Sequence, residues 1–417
     1  MTLDARLRGN IFALYIVQGL NYALSLVTFP FLARTLGADG FGVMNYAFAA
    51  IQYGVLFTDF GFNLSATREI AQVRHDPAAA ARVFWKVTWA KSLLALLSCA
   101  VLAVLISVIG SWQQHAAVFG WSLVYIVSSV FFPIWYFQGF EEMRVASALT
   151  VLARALMLGL LIWLVQGPHD VALAVVLQAA PAMLAGAIWW FTAWGLPRPQ
   201  WSVPNAIEIR QSMRDSWPFF LSAISTNLYT TSTAVLLGFF AAPAQVGFFA
   251  AANKLIYTAQ GLIGPLVQAT YPRIAQLAGS DKAGAYQLIR KAFKLQGGAG
   301  LGMTLVSMLA APWIVSLLLG KGMLGSVEVL IWLAPVILLG ALSYVYGMQT
   351  LLPFGQERYF SRVLVVAGVL NVGLLMLLLP GAAQPAIRAA QVVDVVEAYI
   401  VAAFWWRARR IHAEIRA

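Results

Sequence analysis

The sequence predicts an all-α polytopic membrane protein, with twelve transmembrane helices in two six-helix bundles around a central cavity. The second bundle would be a parallel repeat of the first. Three observations predict this. Of 417 residues, 61% are hydrophobic and 10% charged, with a mean hydropathy of +0.78. Soluble domains carry about 25% charged residues, so a chain this poor in charge cannot clothe a water-facing surface. A soluble enzyme, a disordered chain and a secreted scaffold are thereby excluded. The apolar residues also fall into runs of membrane-spanning length, parted by short polar connections. Finally, short motifs recur between the halves at a near-constant offset.

A span takes ~20 mostly apolar residues. The runs are 11–33, 41–65, 83–109, 116–137, 145–166, 171–194, 217–240, 247–271, 293–318, 326–352, 360–380 and 385–406. None shows the ten-residue alternation of a barrel strand, so all read as helices. Arg6 and Arg8 precede the first run. It is too long for a signal-peptide core and no small-residue cleavage site follows, so it reads as an uncleaved span. Residues 195–216 hold Pro197, Pro199 and Pro204 with Arg198, Arg210 and Arg214. That stretch is too short for a domain. The expected organisation is an N-terminal bundle over 1–196, a cytoplasmic linker over 197–216, and a C-terminal bundle over 217–417 with a basic tail.

Basic residues orient the spans. Arg6, Arg8, the 68–86 and 273–294 connections, Arg144, the linker arginines, Arg358, Arg362 and the tail from Arg407 alternate onto one side. The other side keeps Arg34, Lys321 and Arg388, with Lys254 just inside the membrane. Positive charge stays in the cytoplasm, so both termini are expected there. The net charge of +11 is thus assigned to cytoplasmic loops rather than to a nucleic-acid partner. The connections 68–86 and 273–294 read as basic amphipathic segments along the anionic cytoplasmic lipid surface.

The repeat aligns Gly37–Tyr46 (GADGFGVMNY) with Ala242–Ala251 (APAQVGFFAA), superposing Gly42 on Gly247. Ala66-Thr67 before Ile70-Ala71-Gln72 matches Ala269-Thr270 before Ile274-Ala275-Gln276. Six spans per half preserve orientation, which makes the repeat parallel, about an axis along the membrane normal. Two such bundles facing one another are the architecture of an alternating-access transporter, with substrate near mid-membrane.

Catalytic chemistry finds no footing. Cys99 is the single cysteine, the histidines at 75, 115, 169 and 412 lack ligand spacing, and no GxxxxGK[ST] loop exists. No outer connection is long enough for a hydrolase or polymerase site. The chain is therefore expected to be neither an enzyme nor a cofactor protein, and to draw on an ion gradient, the membrane potential or the substrate gradient.

Ionisable residues inside spans are costly and usually face a wet cavity. Arg154 is the deepest cation, with Lys91 and Lys254 about two turns inside. Each is open to two readings: a long stem snorkelling to the interface, or a cationic cavity for a multivalent anion such as a phosphate or diphosphate. Asp59 is either a candidate ion-coupling acid or a structural partner of Arg68 or Arg34. Arg388, Gln391, Asp394 and Glu397 form a stripe at threefold spacing. They either bind a cation or proton or pair among themselves as interhelical glue. Asn21, Asn227 and Asn371 read as interhelical hydrogen-bonders or hydroxyl contacts. Trp85, Trp112, Trp135, Trp194, Trp217, Trp405 and Trp406 sit at span ends and read as interfacial belts.

Gln18-Gly-Leu-Asn21, Pro30-Phe-Leu-Ala-Arg34-Thr-Leu-Gly37, Phe41-Gly42, Asp59-Phe-Gly61-Phe and Ser65-Ala-Thr67-Arg-Glu69-Ile together resemble the polysaccharide-biosynthesis, or O-antigen (Wzx-type), flippases. These belong to the multidrug/oligosaccharidyl-lipid/polysaccharide exporter superfamily, which also holds multidrug extruders and the lipid II flippase. The likeness is strongest over roughly 8–75, and Tyr271-Pro272-Arg273 fits it too. It implies two six-helix bundles that carry an undecaprenyl-diphosphate-linked oligosaccharide from the inner to the outer leaflet of a bacterial inner membrane. It further implies that a cationic cavity receives the diphosphate, making Arg34, Lys91, Arg154, Lys254 and Arg273 candidates for anion contact. Arg34 and Arg273, near helix ends, are equally open to roles in topology or gating. Asp59, Asp394 and Glu397 are candidates for ion coupling but match no motif shared across the family. By analogy a polysaccharide polymerase or the initiating transferase is a partner. The alternatives are a cation-coupled small-molecule extruder, which would favour an acidic cavity, and a membrane glycosyltransferase or polymerase, which would need a substantial outer loop.

Overall fold

The computed structural model describes the backbone of residues 5–196 and 198–416. Side chains are described for 19–20, 23–196, 198–221, 223–224, 227, 230–411 and 413. The readings that rest on the side chains of Asn21 and His412 therefore lie outside the described residues. Every regular element among the described residues is helical. In order these are α1 (Ala5–Asp59), α2 (Phe62–Val73), α3 (Pro77–Val108), α4 (Gly110–Gln113), α5 (Ala116–Ser122), α6 (Val124–Phe131), α7 (Ile134–Gly139) and α8 (Met143–Leu164). There follow α9 (Val171–Ala179), α10 (Pro181–Thr192), α11 (Ala206–Thr230), α12 (Ser232–Phe240), α13 (Pro243–Gly261) and α14 (Gly264–Ser280). The chain ends with α15 (Lys282–Leu309), α16 (Ala311–Leu318), α17 (Ser326–Leu333), α18 (Pro335–Ser343), a π-helical segment (Tyr344–Leu351), α19 (Glu357–Leu378) and α20 (Pro385–Arg416).

Among the described residues, six helical stretches are long and apolar enough to cross a membrane, or eight if two bent pairs each count as one span. Several of the expected spans are merged or broken. The first two expected spans run through α1, which kinks at Gly37 in the left-handed region (φ 68°). The α9–α10 and α15–α16 pairs bend by 42° and 74°. The expected spans 217–240 and 247–271 are each divided, between α11 and α12 and between α13 and α14.

Contacts divide the chain into two compact units. One takes residues up to Leu36 together with Ala47–Ile224; the other takes Gly37–Tyr46 together with Ser225 onward. Of the linker expected over 197–216, residues 198–205 are non-helical and α11 then begins. Asn205 and Glu208 form a reciprocal capping box: Asn205 Oδ1 accepts from the Glu208 N–H, and Glu208 Oε2 from the Asn205 N–H, each at 2.8 Å. The Trp85 indole donates to the Gln200 carbonyl (2.8 Å) and that of Trp189 to the Leu196 carbonyl (3.1 Å). The stretch is pinned to the first unit rather than left free.

Within the first unit, α2 lies against α7 because Gly139 carries no side chain where Ile70 packs. Thr67 Oγ1 donates towards Gln138 Oε1 (3.1 Å) and the Trp135 carbonyl (3.2 Å). Phe60 stacks on Phe220 at 4.4 Å, and the Ser65 and Ser216 hydroxyls meet at 2.6 Å. Trp135 is 1% exposed among Phe84, Tyr136 and Phe137, and Trp112 stacks on Phe119 at 4.8 Å. Those two tryptophans are core residues, a correction to the belt reading. Sequence position at a span end could not show that their rings turn inward.

In the second unit the repeat glycines meet. A Cβ on Gly42 would fall on the Pro243 carbonyl, and one on Gly247 would fall on that of Ala38. Two helices can cross this closely only where both lack side chains. Other equivalent positions also do equivalent work. Asp76 caps α3 by accepting from the N–H groups of Ala78 and Ala79, while Asp281 caps α15 by accepting from that of Gly284. Thr67 meets Gln138, and Thr270 Oγ1 accepts from Gln349 Nε2 at 2.7 Å. Asn371 Nδ2 donates to Ser232 and Thr233 at 3.0 and 3.1 Å, joining α19 to α12, which is the interhelical role.

Candidate functional site

Asp59 ends α1, where the chain breaks through Phe60 (φ 41°) and Gly61 (φ 79°) before α2. The break holds the carboxylate beside α3. There Lys91, fixed in mid-helix, places its ammonium 2.7 Å from Asp59 Oδ1 and 2.9 Å from the Ser129 carbonyl oxygen. The Lys91 side chain is 3% exposed and that of Asp59 27%. A buried ammonium is tolerated only when paired and hydrogen-bonded, and both conditions hold. Lys91 therefore does not snorkel, and Asp59 pairs with neither Arg68 nor Arg34. These two residues, assigned separately to anion contact and ion coupling, make one ion pair.

Tyr125 stands within electrostatic reach of both Asp59 and Arg154, with its ring edge on Phe48 at 5.9 Å. Asp59, Lys91 and the Ser129 carbonyl bring together α1, α3 and α6. Arg154 sits in the middle of α8 with an exposed side chain. Tyr125 and the Ser129 carbonyl escaped the sequence reading. Tyr125 is one of several hydroxyls in span four with nothing in the pattern to single it out, and a backbone acceptor leaves no signal.

Arg34 is exposed on α1. Arg273 is exposed on α14 and donates to Gln276 Oε1 at 2.7 Å, within the repeated triplet. Lys254 is exposed on α13. Arg388 donates to Gln391 at 3.1 Å. Asp394 and Glu397 follow one helical turn apart on α20, which packs on α13, α17, α18 and α19. Asp394 Oδ1 is buried with no hydrogen-bond partner. Arg388 is thus bonded to Gln391.

Helices threaded through lipid, with a buried ion pair held among them, are the build of a polytopic membrane transporter, and the comparisons agree. The fold follows 95% of this chain and 87% of a structure titled "Lipid II flippase MurJ, inward closed conformation" (TM-score 0.73, 9% identity). It likewise follows 94% of both this chain and an inward-facing multidrug resistance MATE family transporter of the MOP superfamily (TM-score 0.69, 15% identity). At such identities the likeness is one of fold. Sequence carries it further. The model of the family described as "Polysaccharide biosynthesis protein" matches residues 7–278. A protein of Escherichia coli (strain K12) named "Putative O-antigen transporter" is 33% identical over 371 residues, 88% of each chain. The chain belongs to the polysaccharide biosynthesis protein family, a family of transporters rather than enzymes.

Proposed function

We propose that this protein is a flippase for an undecaprenyl-diphosphate-linked oligosaccharide, such as an O-antigen repeat unit. It would carry that cargo from the inner to the outer leaflet of a bacterial inner membrane. The observation that carries the reading is the buried Asp59–Lys91 ion pair held among the spans. An ammonium inside a span suits a diphosphate, and the sugars and lipid tail need no charge. The E. coli relative's name and the family match lend the cargo class further support.

In this proposal twelve spans form two bundles, 1–196 and 217–417, joined by 197–216, around a central cavity that opens alternately to each side. Both termini are cytoplasmic. The meeting of Gly42 with Gly247 and the matched caps Asp76 and Asp281 support the parallel repeat. Arg154 receives the diphosphate first. Lys91 then exchanges Asp59 for phosphate oxygen, freeing the carboxylate for a proton or cation. Arg34, Lys254 and Arg273 offer further anion contacts on the path, and Asp394 and Glu397 a second place for the coupling ion. A polysaccharide polymerase or the initiating transferase is the proposed partner.

The test uses purified protein in proteoliposomes with a labelled undecaprenyl-diphosphate oligosaccharide, scored by access of an impermeant reagent. Arg154→Ala is expected to slow transport by about tenfold or more, as loss of one charged hydrogen bond implies. Absence of protein-dependent movement across tested ion gradients would sink the flippase reading. It would favour the cation-coupled extruder, for which the unpartnered buried oxygen of Asp394 speaks.

A further inference from the structure

Far along the chain from the Asp59–Lys91 pair, α19, α20 and the turn before α19 line a second basic site. It is an open cavity of about 550 Å³ lined by Arg358, Arg362, Arg407 and Arg410, with Trp406 and Tyr359 among its walls. That volume falls in the ~300–1,000 Å³ range of small-molecule sites. Glu357 is the one acid among the lining residues, so the walls carry a surplus of three positive charges.

The arginines converge by helix geometry. Arg358 and Arg362 are one turn apart on α19, and Arg407 and Arg410 one turn apart on α20. Arg407 directs Nε and Nη2 onto Gln356 Oε1 at 3.0 and 2.8 Å. That fixes its plane while using two of its five N–H donors. Arg410 lies 3.8 Å over the Trp406 ring, a cation–π contact that holds the guanidinium broadside.

The floor is rigid. Phe360 and Phe404 stack at 5.0 Å and 8°, and Gly347 of the π-helical segment leaves room for both rings. The Tyr359 hydroxyl donates to the Ala403 carbonyl at 3.1 Å. The N–H groups of the first turn of α19 also open at this end, where the helix dipole is positive.

We infer that this cavity binds the phosphate groups of an acidic lipid headgroup, at the membrane surface where α19 begins. Planar, bidentate donors suit phosphate oxygens. A tryptophan, a tyrosine and four arginines at the end of a span suit the headgroup layer. The headgroup would come either from bulk acidic phospholipid or from a polyprenyl diphosphate.

Binding to full-length purified protein tests this, with dioctanoyl phosphatidylglycerol, dioctanoyl phosphatidylcholine, farnesyl diphosphate and inorganic diphosphate as probes. Phosphatidylglycerol should bind more tightly than phosphatidylcholine. Farnesyl diphosphate tighter than phosphatidylglycerol identifies the polyprenyl diphosphate as the source; the reverse identifies bulk lipid. The R362Q/R410Q double variant should weaken the acidic lipids by about tenfold or more. K321Q, at an exposed lysine outside the cavity, should leave them unchanged. Glu357→Gln should tighten binding, which keeps the test available if the double arginine variant fails to fold. Undiminished binding by R362Q/R410Q, no tightening by Glu357→Gln, or inorganic diphosphate binding as well as the lipids would overturn the site. Transport by R362Q/R410Q, read alongside, separates failure here from failure of the flippase reading.

Discussion

At the scale of single residues the Asp59–Lys91 pair holds most consequence. The ammonium is 3% exposed and has two oxygen partners. Removing either member of a buried pair leaves the other charge uncompensated, at a cost of about 3–5 kcal/mol. Asp59→Asn and Lys91→Met are each expected to lower thermal stability sharply. The double variant should recover most of the loss, since no charge is then stranded. Unfolding curves of the four proteins in one detergent check this. Strictly additive losses would mean that the pair is not a unit. The neighbouring break makes its own demand. Gly61 holds φ at 79°, and a Cβ there would press on Phe219 and the Ser216 carbonyl, so Gly61→Ala should displace α2 from α11 and destabilise with it.

At the scale of elements, close packing and capping make opposite demands on side chains. The crossing in the second unit needs bare backbone at Gly42 and Gly247, because each Cβ position is occupied by a carbonyl of the facing segment. Gly42→Ala is expected to cut the yield of folded protein. Gly302→Ala, in α15 with nothing within 4 Å, should be neutral or slightly stabilising through its better helix propensity. Yield and melting temperature of the two, side by side, decide the point. At the start of α11 the reciprocal bonds of Asn205 and Glu208 predict that Asn205→Ala costs about 0.5–2 kcal/mol. Faster proteolysis between Gly195 and Ala206 would be the accompanying sign that the connection has come loose.

At the scale of the whole molecule the distribution of charge predicts topology. In a Cys99→Ala background, a cysteine replacing exposed Gly279 should react with an impermeant thiol reagent only from the cytoplasm. One replacing exposed Lys321 should react only from outside. Labelling of both from one side would break the alternation of spans on which the twelve-helix layout rests.

By itself the sequence determined the solvent, the helical class and the family. Hydropathy over twenty-residue windows is a local property, and lipid demands that every backbone group be paired within its own segment. The motif matches behind the proposed repeat were legible for the same reason, since short motifs such as Ile70-Ala71-Gln72 and Ile274-Ala275-Gln276 need no third dimension to be compared. Tertiary structure alone decided which charges stand together. Asp59 and Lys91 are separated by the whole of α2, a turn and the first half of α3, so neither spacing nor composition could reveal their pairing, which the break at Phe60-Gly61 allows. It decided too that Trp135 is core while Trp406 is surface, and that four arginines read as topology signals line one cavity. Whether a polar or aromatic group faces lipid, core or cavity depends on helix rotation and bend, and those are set by packing against partners distant in sequence.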